Sequence, residues 1–296
     1  MYSLISQYGK RIKLQLLIQM SKLSITSILL ILTLSGCNIR NPVTSDGTRE
    51  DPQIQDSNKT LAIFTAGSLV SPYSEIGEQY ESQNPDVELT FNFAGSQQLA
   101  HQLAQGAPGD IFASADIRQM EAIVKTGRIK SQSPQIFSHN HLVVIFPTEN
   151  LGGIQMLQDL SKQGLKLVLA AEAVPIGNYS QQFLTKASQD PAFTERFKRD
   201  VLDNVVSYES NVNAVLSKVL LGEADAGIVY TSDNNDSNIN QLSMLPIPEE
   251  LNVLADYLIA PLMDIQDPEL AQDFIAFVLS PTGQEILSNH GFITVK

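Results

Sequence analysis

Twice in this chain an apolar run ends in Ala-Gly-Ser and opens into a helical pattern. Leu61 to Thr65 is the first run, followed by Ala66-Gly67-Ser68 and by apolar residues at helical spacing through Tyr73, Ile76 and Tyr80. The second is the alternating run Val87 to Phe93, closed by Ala94-Gly95-Ser96 and continued by Gln97 to Leu103. A buried strand that turns tightly into a helix points backbone N–H groups, a hydroxyl and the positive end of a helix dipole at one spot. One such Ser reads as an N-cap. Two of them at the carboxyl ends of strands mark the edge where open α/β sheets collect ligands.

From Leu61 onward short apolar runs alternate with helical stretches, which predicts an α/β fold. Strands are expected at Leu61–Thr65, Val87–Phe93, Ile111–Ala113, His141–Phe146, Leu165–Ala170, Asn204–Ser207, Gly227–Tyr230 and Val253–Ile259. Helices are expected at Ser71–Asn84, Gln97–Gln105, Ile117–Thr126, Met156–Lys162, Asn178–Ser188, Pro191–Asp200, Asn211–Leu221, Asp267–Leu279 and Pro281–Asn289. The polar, turn-rich stretch Asp233 to Pro248 reads as a surface excursion. The two C-terminal helices are expected to pack back on the first part, giving two lobes with the second inserted in the first: 61–140 plus 255–296, and 141–254.

The segment before this body has a different composition. Residues 1–36 hold four basic and no acidic residues, then an apolar stretch from Leu23 to Leu34, and end in Ser35-Gly36. That is the pattern of an export signal, too short in its apolar part for a spanning helix, which needs about 20 residues. Translation from Met1 gives a long basic start and translation from Met20 a compact one; both remain open. Leu34-Ser35-Gly36-Cys37 resembles the bacterial lipobox, which implies cleavage before Cys37 and a diacylglyceryl group on its sulfur. Several acyl chains, at about 0.8 kcal/mol per buried CH₂, make a stable anchor. Asn38 to Thr60 has no apolar period and reads as a flexible tether, so 37–60 is expected to link membrane and globule. Beyond residue 36 the chain has 15 basic against 32 acidic residues, a net charge of −17. An acidic body of this kind repels nucleic acid and anionic lipid.

Three further segments repeat the logic of the two serines. Ala173 to Tyr179 contains Pro175 and Gly177, a turn that opens a helix and offers backbone N–H groups. Glu209-Ser210-Asn211-Val212 precedes another helix, capped by Glu209 or Ser210, with unpaired N–H groups near Asn211 and Val212. Gly227-Ile228-Val229-Tyr230 is a buried strand ending in a phenol that can donate to an anion. None of the five segments places a Lys or Arg at the expected site. Four helix N-termini at about +0.5 of a charge each supply roughly +2. A ring of neutral donors suits a small, fully deprotonated oxyanion and rejects a protonated one, because every donor needs an acceptor opposite it.

Other chemistries lack their parts. There is no GxSxG elbow, so a serine hydrolase using Ser68 or Ser96 would be without a recognisable base. His139 and His141 share a strand face but have no companions for a metal site, and His101 and His290 are isolated. Asp110 and Asp116 read as capping or solvated groups. Neither a GxxxxGK[ST] loop nor a GxGxxG turn occurs.

The segments Ala66-Gly67-Ser68-Leu69, Gln105 to Asp116 (QGAPGDIFASAD), Gly222 to Asp233 (GEADAGIVYTSD) and Pro281 to Leu287 (PTGQEIL) resemble the periplasmic molybdate-binding proteins of molybdate ABC transporters. The likeness runs from about Leu61 to Phe292. It implies a two-lobed, type II periplasmic-binding-protein fold closing on its ligand, with no catalytic role and no cofactor. It places the ligand contacts on the Ser68 and Ser96 hydroxyls, the Ile176 and Val212 backbone N–H groups and the Tyr230 phenol. Ile176 stands where a small residue is common in the family. A branch of the family adds carboxylates, for which Glu209 is the nearby candidate. The implied protein is a monomeric, extracytoplasmic lipoprotein that captures molybdate and tungstate and passes them to a membrane permease; another oxyanion such as sulfate is the alternative ligand.

Overall fold

The apolar runs assemble into two separate sheets. The computed structural model describes residues 59–233 and 240–295. The expected export signal 1–36, Cys37, both candidate start residues and all but the last two residues of the tether lie outside them. Those last two, Lys59 and Thr60, are strand rather than tether. Among the described residues the strands are β1 (Lys59–Ala66), β2 (Val87–Ala94), β3 (Ile111–Ser114), β4 (Gln135–Asn140), β5 (Leu142–Pro147), β6 (Leu167–Ala170), β7 (Val205–Glu209), β8 (Ala226–Tyr230), β9 (Leu242–Pro246), β10 (Ala255–Pro261) and β11 (Ile293–Thr294). The α-helices are α1 (Val70–Gln83), α2 (Ser96–Ala104), α3 (Ile117–Lys125), α4 (Pro175–Gln189), α5 (Phe197–Asp203), α6 (Val212–Leu220), α7 (Pro268–Leu279) and α8 (Pro281–Asn289). No helix among these residues is long and apolar enough to cross a membrane.

One sheet runs β11-β4-β10-β3-β1-β2 and the other β7-β6-β8-β5-β9. In each, three neighbouring strands are parallel: β3-β1-β2 in the first and β7-β6-β8 in the second. The carboxyl ends of β1, β2, β6 and β7 lead into four of the five segments singled out in the sequence, and β8 contains the fifth. The remaining pairings are antiparallel.

Both faces of the first sheet are covered at its centre, so β1 and β3 are largely apolar on both sides. Leu61 and Ile63 of β1 join Tyr73, Ile76, Tyr80, Phe137 and Phe274 in the main core. Phe64, the residue after Ile63 and on the opposite face, joins Leu99, Leu103, Phe112 and Met120 in a second cluster. Tyr73 meets the rings of Phe91, Phe137 and Phe274 edge-on at 6.2, 5.9 and 6.3 Å. Such aromatic pairs contribute about 0.5–1.5 kcal/mol each beyond simple burial.

Several expectations need correction. Met156–Lys162 is a single 3₁₀ turn, Leu157–Ser161, because Asp159 takes the N–H groups of Gln155 and Met156 and Gly164 follows within three residues. Of Pro191–Asp200 only the end is helical; Asp190 captures the Ala192 N–H in a turn, and α5 starts at Phe197. The expected surface excursion contains β9, which pairs with β5 through Met244 and Leu245. The polar strand β4 (QIFSHN) and the two-residue β11 have too little apolar signal to be read from sequence.

The third segment starts its helix three residues earlier than expected, at Pro175, whose ring presets the helical φ. Here Gly177 lets α4 descend onto the end of β6. A Cβ at this position would lie 2.0 Å from the Ala171 carbonyl oxygen and 2.5 Å from that of Ala170. Both are backbone atoms, so no rotamer relieves the clash. Gly177→Ala should cost at least the ~1–3 kcal/mol typical of overpacking and lower the melting temperature. An unchanged melt would mean that the backbone yields here without cost.

Candidate functional site

Ala66, Gly67, Ser68, Gly95, Ser96, Ala115, Val174, Pro175, Ile176, Asn211, Val212 and Tyr230 surround one small cavity. All five residues expected to bind ligand are therefore brought together. Ser68, Ser96 and Ala115 come from the ends of β1, β2 and β3. Ile176, Val212 and Tyr230 come from the ends of β6, β7 and β8. No charged side chain is among the lining residues.

Neither serine is an N-cap. Ser68 is the middle of a 3₁₀ turn, Gly67–Leu69, that precedes α1. Its hydroxyl is 2.8 Å from the Tyr257 hydroxyl. Ser96 is the first residue of α2, and Gly95 holds the cap position. The Ser96 Oγ accepts the Ala115 backbone N–H at 3.1 Å. An N–H can only donate, so the Ser96 proton is left to point elsewhere, and the cavity is beside it.

The backbone donors follow from helix geometry. The first N–H groups of a helix have no partner within it. Ile176 is the second residue of α4 and Val212 the first of α6. The α6 cap is Asn211, whose side chain accepts the Ala214 N–H at 2.9 Å, rather than Glu209 or Ser210. Three α-helices thus begin at the cavity, α2, α4 and α6, supplying about +1.5 of a charge. The fourth expected helix start is displaced: α1 begins at Val70, two residues past Ser68, which sits in the preceding 3₁₀ turn.

Tyr230 completes the set. It is buried, and its hydroxyl has no hydrogen-bond partner in the structure. Burial raises its pKa well above that of a free phenol, with added upward pushes from Tyr257, Tyr179, Asp233 and Asp116. The group stays protonated and acts as a donor. An orphaned buried hydroxyl costs free energy unless something accepts from it, and it lies against the cavity that the other donors face.

Nearby carboxylates are turned away from this ring. Asp116 receives Arg118 at 2.7 Å and the Gln119 N–H at 2.9 Å. Glu209 is held by Lys218 at 2.7 Å. Burial pushes the Glu209 carboxyl up, but hydrogen bonds from Lys218 and Ser207 outweigh this and leave it lowered. Glu209, the candidate for a supplementary carboxylate, is not among the cavity residues and is engaged by Lys218 and Ser207. Among the described residues no group of three or more His, Cys, Asp or Glu side chains could hold a metal ion. His139 is occupied by Asp256 at 2.7 Å and His290 by Glu75 at 2.8 Å. No histidine lines the cavity.

Four hydrogen bonds tie the two halves of the ring together. Gln97 donates to the Ser210 carbonyl at 2.8 Å and Asn213 to that of Gly67 at 3.0 Å. Tyr179 donates to the Ala115 carbonyl at 3.3 Å and Gln119 to that of Ala173 at 3.4 Å. Each runs from one sheet's elements to the other's, next to a cavity residue. None of these four side chains stands out in the sequence, since Gln, Asn and Tyr on helices are ordinary.

Asp233, just past Tyr230, accepts the Tyr230 backbone N–H at 2.8 Å. Burial lifts its carboxyl to about 7 against that hydrogen bond. The unfolded chain releases this proton near pH 4. Between about pH 4 and 7 the folded state therefore binds more protons, and this group's contribution to stability declines as pH rises through that window. Asp233→Asn should flatten the melting temperature across it. An unaltered slope would assign the pH dependence to other groups.

Parallel strand ends and helix starts from two sheets, closed on an uncharged cavity, define a two-lobed solute-binding protein. Residues 61–293 match the bacterial extracellular solute-binding protein family, and the chain belongs to it. It is 35% identical over 268 residues to the molybdate-binding protein ModA of Mycobacterium tuberculosis, covering 90% of this chain and 95% of that protein. Two solved structures share the fold. One is the periplasmic molybdate-binding protein of Azotobacter vinelandii, with a TM-score of 0.68 and 17% identity over 80% of this chain and all of that one. The other is the sulfate-binding protein SubI of Mycobacterium tuberculosis, with a TM-score of 0.72 and 12% identity over 80% of this chain and 88% of that one. At these identities the two structures speak for the fold and not for the anion. Members of this family are transport proteins that carry solute and no cofactor, not enzymes.

Proposed function

We propose that this protein captures molybdate, and tungstate with it, and delivers the anion to the membrane permease of an ABC transporter. The observation that carries the reading is the convergence of Ser68, Ser96, Ile176, Val212 and Tyr230, all neutral donors, on one cavity without a charged side chain. The 35% identity to a molybdate-binding relative supports the choice of anion. The Ser68, Ser96 and Tyr230 hydroxyls and the Ile176 and Val212 N–H groups hold the oxygens. Helix starts supply the positive potential, and removal from water strengthens each hydrogen bond. A ring of fixed size then discriminates among tetrahedral dianions by radius. The cavity lies between a lobe of residues 61–140 plus 255–296 and a lobe of residues 141–254, which close on the ligand. Residues 1–36 direct export, Cys37 carries the lipid, and 37–58 tether the protein as a monomer to the outer face of the membrane or within the periplasm.

Calorimetric titration with molybdate, tungstate and sulfate tests the reading. Saturable heat is expected with the first two and far weaker binding with sulfate. No heat with molybdate would sink it, and a preference for sulfate would reassign the anion. Tryptophan quenching is no substitute, because the chain has no Trp.

A further inference from the structure

Tyr257 lies in β10, fully buried, behind the cavity rather than in its lining. Its ring meets Phe137 at 6.1 Å, Phe292 at 5.3 Å and Tyr230 at 5.8 Å, all close to edge-on. The register of β10 against β4 slips here: Tyr257 faces Ser138, while Leu258 faces Ile136. Bulges of this kind recur beside binding sites because they re-aim a side chain. The phenol oxygen ends 2.8 Å from Ser68 Oγ.

We propose that Tyr257 is a positioning residue of the anion site: its phenol donates to Ser68 Oγ and commits the Ser68 proton to the cavity. The inference rests on the anion-binding reading above. A hydroxyl between a phenol and a cavity has two arrangements. If Ser68 donates to Tyr257, its lone pairs face the cavity and repel an anion oxygen. If Tyr257 donates to Ser68, the serine gives its own proton to the anion. Burial and then the charge of Asp233 raise the Tyr257 pKa by more than hydrogen bonds with Ser68 and Asn140 lower it, so the phenol keeps its proton to give. Ser96 is backed in the same way by the Ala115 N–H, which can only donate. Each serine of the ring therefore has a donor behind it. Tyr257 also braces the Tyr230 ring, so one residue supports a hydroxyl from each sheet.

The test is a double-mutant cycle on the full-length protein, reading the molybdate Kd by calorimetry. Tyr257→Phe keeps the ring contacts and removes only the hydroxyl, and a melt confirms the fold. It is expected to raise Kd about three- to tenfold. In a Ser68→Ala background the same substitution should change Kd less than twofold, because the group it acts through is gone. A change below twofold in the otherwise native protein overturns the proposal. So does an equal loss in both backgrounds, which a merely structural role would give. If the native protein binds no molybdate, the functional reading and this proposal fall together. If it binds and Tyr257→Phe matches it, only the proposal falls.

Discussion

Ser96→Ala is expected to weaken molybdate binding about five- to 150-fold, corresponding to roughly 1–3 kcal/mol for a hydrogen bond to a charged group lost in a buried site. The size follows from where the hydroxyl sits. Ser96 is 1% exposed, at the first position of α2, with its oxygen already accepting from Ala115. Its proton has few places to go besides the ligand, so little of the bond energy is recovered by alternatives when the anion leaves. Alanine removes that donor and also strands the Ala115 N–H in a buried place. The second effect acts with and without ligand and should appear as a lower melting temperature. The first appears in Kd alone. Ser68→Ala should give an affinity loss of the same order, since it too contributes one hydroxyl. Unchanged Kd in both variants would place the ligand elsewhere.

Gly95→Ala is expected to cost affinity at least as heavily while sparing the unliganded fold. The Gly95 φ and ψ of −60° and 135° suit any residue, so alanine brings no backbone strain. What it meets is its near neighbour Gln97 and, from the other half of the ring, the Ser210 backbone. A Cβ there would lie 2.6 Å from the Ser210 carbonyl oxygen and 2.6 Å from the Gln97 side-chain oxygen. Gln97 can swing away, but it is also the donor to Ser210, so moving it breaks one tie between the halves. The Ser210 carbonyl is backbone, one residue before the α6 cap, and displacing it moves the Val212 N–H out of the ring. The added methyl thus acts as a wedge against closure. Calorimetry should show a loss of tenfold or more, with overpacking of this kind costing about 1–3 kcal/mol. A melt without ligand should change little. A large fall in that melt with unchanged Kd would contradict the wedge and assign Gly95 a role in the first sheet alone.

The donors were legible in the sequence because each follows a local rule. Strand, small turn and helix start is a pattern within a dozen residues, and it points to Ser68, Ser96 and the helix starts near Gly177 and Val212; the choice of Ile176 and the role of the Tyr230 phenol come from the resemblance to molybdate-binding proteins. The α/β alternation was legible for the same reason. What escaped depends on partners far along the chain. Tyr257 is 189 residues from Ser68, inside a strand that reads as core. The ties Gln97–Ser210 and Asn213–Gly67 span 113 and 146 residues. Strand β4 is largely polar because Ser138 and Asn140 spend their side chains on the Ile293 carbonyl and the Ser232 hydroxyl, so its apolar alternation is lost. The helix caps were misread by one or two residues, since Asn211, Ser210 and Glu209 are all capable and only the turn geometry selects Asn211.

The central claim is that five neutral donors from two sheets hold one oxyanion. A crystal structure of the protein grown with molybdate, with the molybdenum located by its anomalous signal, tests it most directly. The expected result is a single molybdenum site in this cavity, its oxygens within hydrogen-bonding distance of Ser68 Oγ, Ser96 Oγ, the Ile176 and Val212 nitrogens and the Tyr230 hydroxyl. Molybdenum at another place, or molybdate held in this cavity by Arg118 or Lys218 instead of the neutral donors, would contradict it.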